Sequence, residues 1–375
     1  MKKVLIISNS SSGLYEFRNE IILNLMEDHE VYIALPDIDH YYESFEKEGC
    51  HMLHTPFRRR GKNPIEDIKL YRQYVSILKE IRPDVACTYT IKPNIYGGVA
   101  CARTHTPYIC NITGLGTAIE GGGLLSRMLI MMYRIALKKA DCVFFQNEHN
   151  REFMQSNGIA VKVASMLPGS GVNLDCHTYQ PYPEDGDTIN ILAVLRVMAG
   201  KGIKEFLTAV DALGNPESNP KILFKLAGNY EEEARKEYEP WINRLVEEGK
   251  LEYLGFIDEM DPVYANCHFI VHPTYYEGLS NVCLEAAACG RPVLASDIPG
   301  CREAMIKGET GILFESQNPD ALIKAVEEAL TWDREKREKM GRLGREHVAA
   351  NYSRDKVLKI YREKIEEITG GSNEV

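Results

Sequence analysis

The chain has 375 residues, of which 44% are hydrophobic and 26% charged, and these values suit two globular domains with sizeable cores. Its formal net charge of −10 argues against a nucleic-acid-binding protein. The ten cysteines form no CxxC pair, which excludes a typical zinc site or disulfide framework and indicates a reducing, cytoplasmic compartment.

The two halves of the chain differ in charge, and neither carries a membrane-spanning pattern. Residues 1–180 hold 20 Lys and Arg against 19 Asp and Glu, whereas the remaining residues hold 24 against 35. The first half includes the basic run Arg58–Arg60 with Lys62, which suits either a solvated loop or a contact with an anionic membrane surface. No window reaches the ~20 apolar residues that a span needs, and the opening MKKVLIISNS fits a first strand better than a signal peptide. We expect a soluble or peripheral protein.

Apolar strands alternate with helical patterns from the N terminus onward, which is typical of a parallel sheet covered on both faces. In the first half we predict strands at Val4–Ser8, Val31–Leu35, Asp84–Tyr89, Tyr108–Ile112, Asp141–Gln146 and Val161–Met166. Helices are predicted between them at Tyr15–Met26, Ile65–Ile81, Pro93–Arg103 and Leu124–Lys139.

A second α/β series follows the break at Pro168–Gly171 and the polar stretch Tyr179–Asp187. Its predicted strands are Ile189–Leu195, Lys221–Ala227, Leu251–Gly255, His268–His272 and Pro292–Ser296. Its predicted helices are Lys204–Leu213, Glu231–Glu248, Asp261–Cys267, Ser280–Cys289, Asp320–Leu330 and Arg334–Ala350, with Arg354–Ile368 last. We therefore predict two Rossmann-like domains, 1–168 and 169–352, with the segment 353–375 returning to the first.

The most informative segment is HPTYYEGLSNVCLEAAACGRPVLASDIPG, from His272 to Gly300. A strand ends before Pro273, a loop presents Glu277, and a helix starts near Ser280 and stops at Gly290. The helix therefore opens at the carboxyl edge of the sheet, where open α/β sheets bind ligands. Free N–H groups at such a helix start favour an anion such as a diphosphate.

Glu285 lies within this helix among apolar neighbours, so the helix is predicted to be buried. A carboxylate would repel a phosphate, but it accepts hydrogen bonds well from a cis-diol such as ribose. The alternative is a solvated helix residue, yet a lone Glu in a buried helix needs a partner. We therefore favour a ligand-binding role for Glu285.

A second cationic motif is LRVMAGKG, in which Arg196 and Lys201 lie in a strand-to-helix turn. Two cations in such a turn suit a diphosphate, Arg as a planar fork and Lys as a point charge. By itself the motif would fit an ordinary turn with surface cations. In the other half, the loop Asn9–Gly13 between first strand and first helix offers backbone N–H groups to an anion, and Gly13 is the candidate residue there.

Glu277 and Glu285, eight positions apart in EGLSNVCLEAAACGRPVLASDIPG, closely resemble the glutamate-pair signature of the retaining glycosyltransferase family 4. The resemblance implies the GT-B fold, with two facing Rossmann-like domains and the site in the cleft between them. It implies that Glu285 binds the nucleotide ribose, and that Glu277 approaches the hydroxyls of the donor sugar. The adjoining donor-binding positions are Gly278, Leu279, Ser280 and Asn281.

The LRVMAGKG turn also resembles the Arg-x₄-Lys-Gly diphosphate site of that family, so Arg196 and Lys201 would stabilise charge on the leaving nucleotide. We accordingly expect metal independence and no cofactor, because the DxD-like Asp37–Asp39 lies in the other half. Gly13 would approach the donor phosphate and sugar, although the usual Gly-Gly is Ser12-Gly13 here. A front-face mechanism with retention of the anomeric configuration is implied.

Three further segments, Thr90–Gly98, Asn111–Gly116 and Ala140–Asn147, resemble a subgroup that adds N-acetylhexosamine or related sugars in bacterial polysaccharide and glycan pathways. The resemblance implies a UDP-linked donor and an acceptor glycan carried on a polyprenyl diphosphate. The apolar positions of helix Leu124–Lys139 nearly encircle it, which favours a core helix. Its flanking Arg127, Arg134, Lys138 and Lys139 would also suit a surface that touches a bilayer.

Two other functions remain compatible with a two-domain scaffold of this kind. A sugar-nucleotide 2-epimerase would show carboxylate and histidine acid–base groups in the cleft and would need no acceptor. A non-catalytic partner subunit would keep the fold without the chemistry. The Glu277/Glu285 pair argues against the first, and the presence of Arg196 and Lys201 with both glutamates argues against the second.

Overall fold

The computed structural model describes residues 1–58, 61, 63–116, 119, 121–184 and 186–370. Arg59, Arg60 and Lys62 of the predicted basic run lie outside the described residues, as do residues 371–375 of the predicted C-terminal segment. The chain divides into two compact units, Met1–Ser170 with Asp355–Val375, and Gly171–Arg354.

Unit 1 is built on a seven-stranded parallel sheet with strand order β3-β2-β1-β4-β5-β6-β7. The strands are β1 (Lys2–Ile7), β2 (His29–Leu35), β3 (His51–His54), β4 (Val85–Tyr89), β5 (Tyr108–Ile112), β6 (Cys142–Phe145) and β7 (Ala164–Met166). Its helices are Ser11–Met26, His40–Lys47, Pro64–Ile81, Gly98–Thr104 after the π-helical turn Pro93–Gly97, Gly123–Leu137, Glu148–Ser156 and Arg354–Gly370.

Apolar side chains cover both faces of this sheet, which explains why its central strands β1, β4, β5 and β6 are predominantly apolar. On one face, helix Arg354–Gly370 contributes Val357, Tyr361 and Ile365 to the core beside helix Ser11–Met26. On the other face, helices Pro64–Ile81, Gly98–Thr104 and Gly123–Leu137 share a second core.

Unit 2 holds a six-stranded parallel sheet with strand order β10-β9-β8-β11-β12-β13. The strands are β8 (Thr188–Val194), β9 (Lys221–Ala227), β10 (Leu251–Gly255), β11 (Phe269–His272), β12 (Val293–Ser296) and β13 (Gly311–Phe314). Its helices are Ile203–Leu213 after the 3₁₀ turn Ala199–Lys201, Glu232–Glu247, Asp261–Ala265, Asn281–Ala288, Pro319–Leu330 and Arg334–Asn351. Two apolar clusters cover its two faces.

The structure corrects several sequence-based predictions. The short strands β3 and β13 and the helices His40–Lys47 and Glu148–Ser156 were not predicted. The preference for a core helix at Leu124–Lys139 over one with an apolar surface was wrong, because Leu124 is 84% and Ile135 59% exposed. Only the sheet-facing side of helix Gly123–Leu137 is buried, through Ser126, Tyr133, Ala136 and Leu137. Over the described ranges, no helix combines the length and the apolar content needed to cross a membrane.

Candidate functional site

Three loops of unit 2 leave the carboxyl edge of its sheet next to one another, because β8, β11 and β12 are adjacent parallel strands. The loop after β8 carries Arg196 and Lys201, and the loop after β11 carries Glu277. The loop after β12 reaches Gly300, whose carbonyl accepts a hydrogen bond from the Ser280 N–H at 3.0 Å. The predicted donor-site residues of this half are thus gathered at one sheet edge, where open α/β sheets bind ligands.

The loops after β8 and β11 are held in close backbone contact. The Tyr275 N–H donates to the Gly200 carbonyl at 3.2 Å. Gly202 has a φ of 72°, and a β-carbon at this position would lie 2.0 Å from the Pro273 carbonyl oxygen. Only glycine fits this approach without a backbone shift, so Gly202 fixes the position of the preceding Lys201.

Lys201 and Glu277 form the central ion pair of the site. The Lys201 Nζ donates to Glu277 Oε1 at 2.5 Å, and both side chains are only about a fifth exposed. His272, buried at the end of β11, brings its Nε2 to 3.4 Å from the same carboxylate oxygen. Burial raises the pKa of Glu277, but Lys201 and His272 outweigh it and lower that pKa to about 2. Glu277 is therefore a carboxylate at any physiological pH.

Helix Asn281–Ala288 begins directly after this loop. Ser280 caps it by accepting a hydrogen bond from the Cys283 N–H at 3.2 Å, and Leu279 is buried in the neighbouring core. The N–H groups of Asn281 and Val282 have no partner within the helix, as in any first helical turn. The helix start therefore offers two N–H donors to an anion within a few residues of Glu277.

Glu285 projects from the same helix, which is buried through Cys283, Leu284 and Ala286–Ala288 as predicted. The partner that a half-buried carboxylate requires is Tyr264, whose hydroxyl donates to Glu285 Oε2 at 3.1 Å. Burial raises the pKa of Glu285, and the nearby His177 and the Tyr264 hydroxyl counteract that rise only in part. Among the described residues, Oε1 has no hydrogen-bond donor, so this oxygen can accept from a ligand.

Arg196 lies apart from the Lys201–Glu277 pair in this structure. Its Nη1 donates to Glu231 Oε1 at 2.8 Å, and its side chain is about half exposed. Glu231 was not identified from the sequence, because nothing in its spacing links it to Arg196. An exposed pair of this kind costs little to separate, so the Arg196 guanidinium can be reoriented toward an anionic ligand.

Gly13 lies in unit 1, in the first turn of a helix that begins at Ser11, four residues before the predicted helix start at Tyr15. Its N–H donates to the Ser10 hydroxyl at 3.1 Å, which caps the helix. The expectation of a Gly-bearing loop is thus replaced by a capped helix start at the carboxyl edge of β1. Asp39 of the DxD-like triplet also has a capping role, since it accepts from the Tyr42 N–H at 3.0 Å.

Two side-chain groups in the described part of unit 2 have the composition of a metal site. His272, Cys283 and Cys301 form one and His177, Asp261 and Cys289 the other, with ligand atoms within 4.8 Å of one another. In the second group, the His177 Nδ1 already contacts the Asp261 carboxylate at 2.7 Å. Neither group includes Glu285, but His272 of the first group lies 3.4 Å from Glu277 Oε1.

Comparison with known families assigns the two halves separately. Residues 3–147 match the family described as glycosyl transferase 4-like, and residues 179–347 match glycosyl transferases group 1. Among curated proteins, the chain is 27% identical over 338 residues to the N,N'-diacetylbacillosaminyl-diphospho-undecaprenol alpha-1,3-N-acetylgalactosaminyltransferase of Campylobacter jejuni, covering 85% of this chain and 87% of that protein. It is 23% identical to the capsular polysaccharide biosynthesis glycosyltransferase CapM of Staphylococcus aureus, covering 94% and 93%.

Solved structures extend the likeness to the whole fold. A sucrose-phosphate synthase from Thermosynechococcus elongatus superposes with a TM-score of 0.82 at 18% identity, covering 99% of this chain and 100% of that one. Anabaena HepE in complex with UDP and glucose gives 0.79 at 17% identity, covering 98% and 100%. These are GT-B transferases, so the predicted fold class is confirmed. The relatives are named as transferases, which argues against the epimerase and non-catalytic alternatives.

Proposed function

We propose that this chain, of which residues 179–347 match glycosyl transferases group 1 and residues 3–147 match the glycosyl transferase 4-like family, transfers a hexose or N-acetylhexosamine from a UDP-linked donor to a glycan acceptor with retention of configuration. The observation that carries the proposal is the placement of the Lys201–Glu277 pair beside the start of helix Asn281–Ala288. A diphosphate at this helix start meets two free N–H groups and a lysine.

Each donor-site residue has a distinct role in this proposal. Glu285 accepts hydrogen bonds from the ribose hydroxyls, and Glu277 accepts from hydroxyls of the transferred sugar. Lys201 and Arg196 stabilise the negative charge that develops on the β-phosphate as the glycosidic bond breaks. Gly278, Leu279, Ser280 and Asn281 shape the backbone around the diphosphate, and Gly13 is a further proposed donor contact that rests on the family resemblance alone. The cations take the part that a divalent metal plays elsewhere, so transfer is metal-independent.

Retention follows from a front-face reaction. The bond from the anomeric carbon to the β-phosphate oxygen breaks, and the acceptor hydroxyl oxygen forms the new bond on the same face. The departing phosphate oxygen takes the acceptor proton, so no carboxylate is required as a nucleophile. Glu277, which is ionised and paired with Lys201, acts on the sugar hydroxyls in this scheme and not as a general acid.

The donor and acceptor classes are supported by the similar proteins. The HepE structures hold UDP, UDP with glucose, or UDP-glucose, which favours a uridine nucleotide for this chain. The Campylobacter jejuni relative is named for a diphospho-undecaprenol acceptor. We therefore propose a polyprenyl-diphosphate-linked acceptor in bacterial surface glycan synthesis, met by a peripheral enzyme at the inner face of the cytoplasmic membrane.

A thermal-shift screen tests the donor assignment. The protein is melted with UDP, GDP, UDP-GlcNAc, UDP-GalNAc, UDP-Gal, UDP-Glc and GDP-Man, and the series is repeated with Glu285→Ala and Lys201→Ala. A ligand at 100 times its Kd stabilises the native state by about 2.7 kcal/mol and so raises the Tm measurably. Lys204→Ala is the matched control, because Lys204 is exposed three residues from Lys201.

We expect a Tm shift with uridine nucleotides that both site variants lose and the control keeps. The same shift in all four proteins would place nucleotide binding elsewhere and contradict the site. Once an acceptor is found, the anomeric configuration of the product is read by NMR coupling constants, and inversion relative to the donor would contradict retention.

A further inference from the structure

Helix Gly123–Leu137 exposes a continuous apolar stripe, formed by Leu124, Met128, Met131 and Ile135. These side chains are 84%, 46%, 55% and 59% exposed. At ~100° per residue they fall within about 60° of one another on the helix surface, and the buried Tyr133 lies on the opposite side. The stripe is a complete outward helix face and not a set of scattered apolar residues.

Cations border the stripe, and the helix carries no acidic residue. Arg127, Arg134 and Lys138 project along one side of it, and Lys139 lies at the other, all exposed. The sequence between Gly121 and Ala140 contains no Asp or Glu. An apolar face flanked by cations is the pattern of helices that lie in the interface of an anionic bilayer.

A groove in the same helical layer adds a second cationic feature. It has a volume of about 380 Å³ and is lined by Tyr71, Arg72, Val75, Lys79 and Arg103. In the part of the chain that the structure describes, the side chains of Arg72, Lys79 and Arg103 make no hydrogen bond or ion pair. Three unpaired cations around one groove provide a site for a phosphate group.

The groove and the stripe face the same way. Helices Pro64–Ile81, Gly98–Thr104 and Gly123–Leu137 pack on one face of the unit 1 sheet through a shared core, so their outer surfaces all point away from that face. Helix Pro64–Ile81 also exposes Ile65 and Ile68, at 78% and 53%. Apolar and cationic side chains thus occur together over the outside of one layer.

We propose that this helical layer is a membrane-docking surface, in which the stripe inserts between lipids and the Arg72–Lys79–Arg103 groove holds the phosphate of an anionic lipid. The charge pattern favours a lipid surface over a second copy of this chain, since a two-fold interface would oppose like cations. The inference gives the peripheral location in the proposed function a specific surface, and it rests on that function only for its biological use.

The test is sedimentation of the full-length protein with large unilamellar vesicles of phosphatidylcholine, with or without 30% phosphatidylglycerol. A stripe variant combines Leu124→Ser, Met131→Ser and Ile135→Ser. A groove variant combines Arg72→Gln, Lys79→Gln and Arg103→Gln. The matched control combines Leu23→Ser and Ile38→Ser, which are 41% and 61% exposed elsewhere in unit 1.

We expect the wild type and the control to bind the anionic vesicles and the stripe variant to bind at least about tenfold more weakly. Each lost cation weakens partitioning about fivefold at low salt, so the groove variant should lose about a hundredfold. A stripe variant that binds like the wild type would overturn the proposal. The proposal would also be overturned if the wild type is a dimer that does not bind vesicles while the stripe variant is a monomer.

The Tm of each variant and its shift with UDP are measured in parallel. A stripe or groove variant that keeps the UDP-induced Tm shift but no longer binds vesicles has lost only the docking surface. If UDP does not raise the Tm of the wild type but the wild type binds the vesicles, the proposed donor site is contradicted and the docking surface is still supported.

Discussion

The ammonium nitrogen of Lys201 lies 2.5 Å from a carboxylate oxygen of Glu277, although 76 positions separate the two residues. The contact exists because adjacent parallel strands end at the same sheet edge and because Gly202 lets the two loops touch. Each residue neutralises the other before any ligand is bound. The free enzyme thus holds both groups ready without leaving a bare charge in a half-buried site.

Replacing either member of this pair should reduce turnover more than it reduces folding. We expect Lys201→Ala and Glu277→Gln each to lower kcat by about 10²–10³, the range found when one group that stabilises a transition state is removed. Steady-state release of UDP measures the loss. Lys204→Ala should stay within about twofold of the wild type, and site variants with similarly intact turnover would remove both residues from the mechanism.

The Glu277 carboxylate should also make stability depend on pH in the acid range. Its folded-state pKa of about 2 is below its ordinary value of 4.5, so the stabilisation is complete above pH 4.5 and is lost as the pH falls toward 2. Urea unfolding at a series of pH values should show Glu277→Gln less stable than the wild type at pH 7. That difference should shrink steadily below pH 4.5. A difference that is constant with pH would mean that the ion pair does not stabilise the fold.

Glu285 should make donor binding weaker as the pH falls, and this loss should occur at a higher pH than the loss of stability caused by protonation of Glu277. Burial raises its pKa, and only the ionised carboxylate accepts hydrogen bonds from both ribose hydroxyls. The affinity for a UDP-sugar, whose diphosphate carries no terminal phosphate to titrate, should fall as the pH drops through that raised value. Calorimetry with Glu285→Gln should show weaker binding with a flatter pH profile. An unchanged profile would assign the titration to another group.

The glycines of the loop after β8 provide a test of the backbone contact. Gly202→Ala would place a β-carbon 2.0 Å from the Pro273 carbonyl oxygen at a φ of 72°, whereas the nearest atom to a Gly200 β-carbon is the Met198 methyl at 3.8 Å. We expect Gly202→Ala to cost at least about 2 kcal/mol of unfolding free energy and to weaken UDP binding. Gly200→Ala should change neither by much. Equal effects would show that the loop relaxes freely.

The sequence predicted the parts of this protein that depend on local pattern. The strands β1, β8 and β11 each contain an apolar run of three or four residues, and Glu285 stands out as a single charge in an apolar helix. Strands β3 and β13, at the two sheet edges, escaped prediction because each has only four residues, which is too short for a periodic pattern to distinguish a strand from a loop.

Contacts between distant segments could not be read from the sequence in this way. The pairing of Arg196 with Glu231 depends on where the chain turns after β8 and β9. Arg291 is a further case: it is fully buried, and its guanidinium donates to the carbonyls of Tyr264, Pro181 and Ala265 among others. A single charged residue in the sequence does not indicate which backbone carbonyls or carboxylates the folded chain will bring next to it.

Unit 1 combines the segments on either side of unit 2, since Val357, Tyr361 and Ile365 pack in the same core as Val4. On the ribosome, this core therefore stays incomplete until helix Arg354–Gly370 has been made. Unit 2 is one uninterrupted stretch and has all its residues earlier, so it can reach its native state first. A nascent chain stalled shortly before Arg354 would present a finished unit 2 attached to an N-terminal segment that still lacks helix Arg354–Gly370.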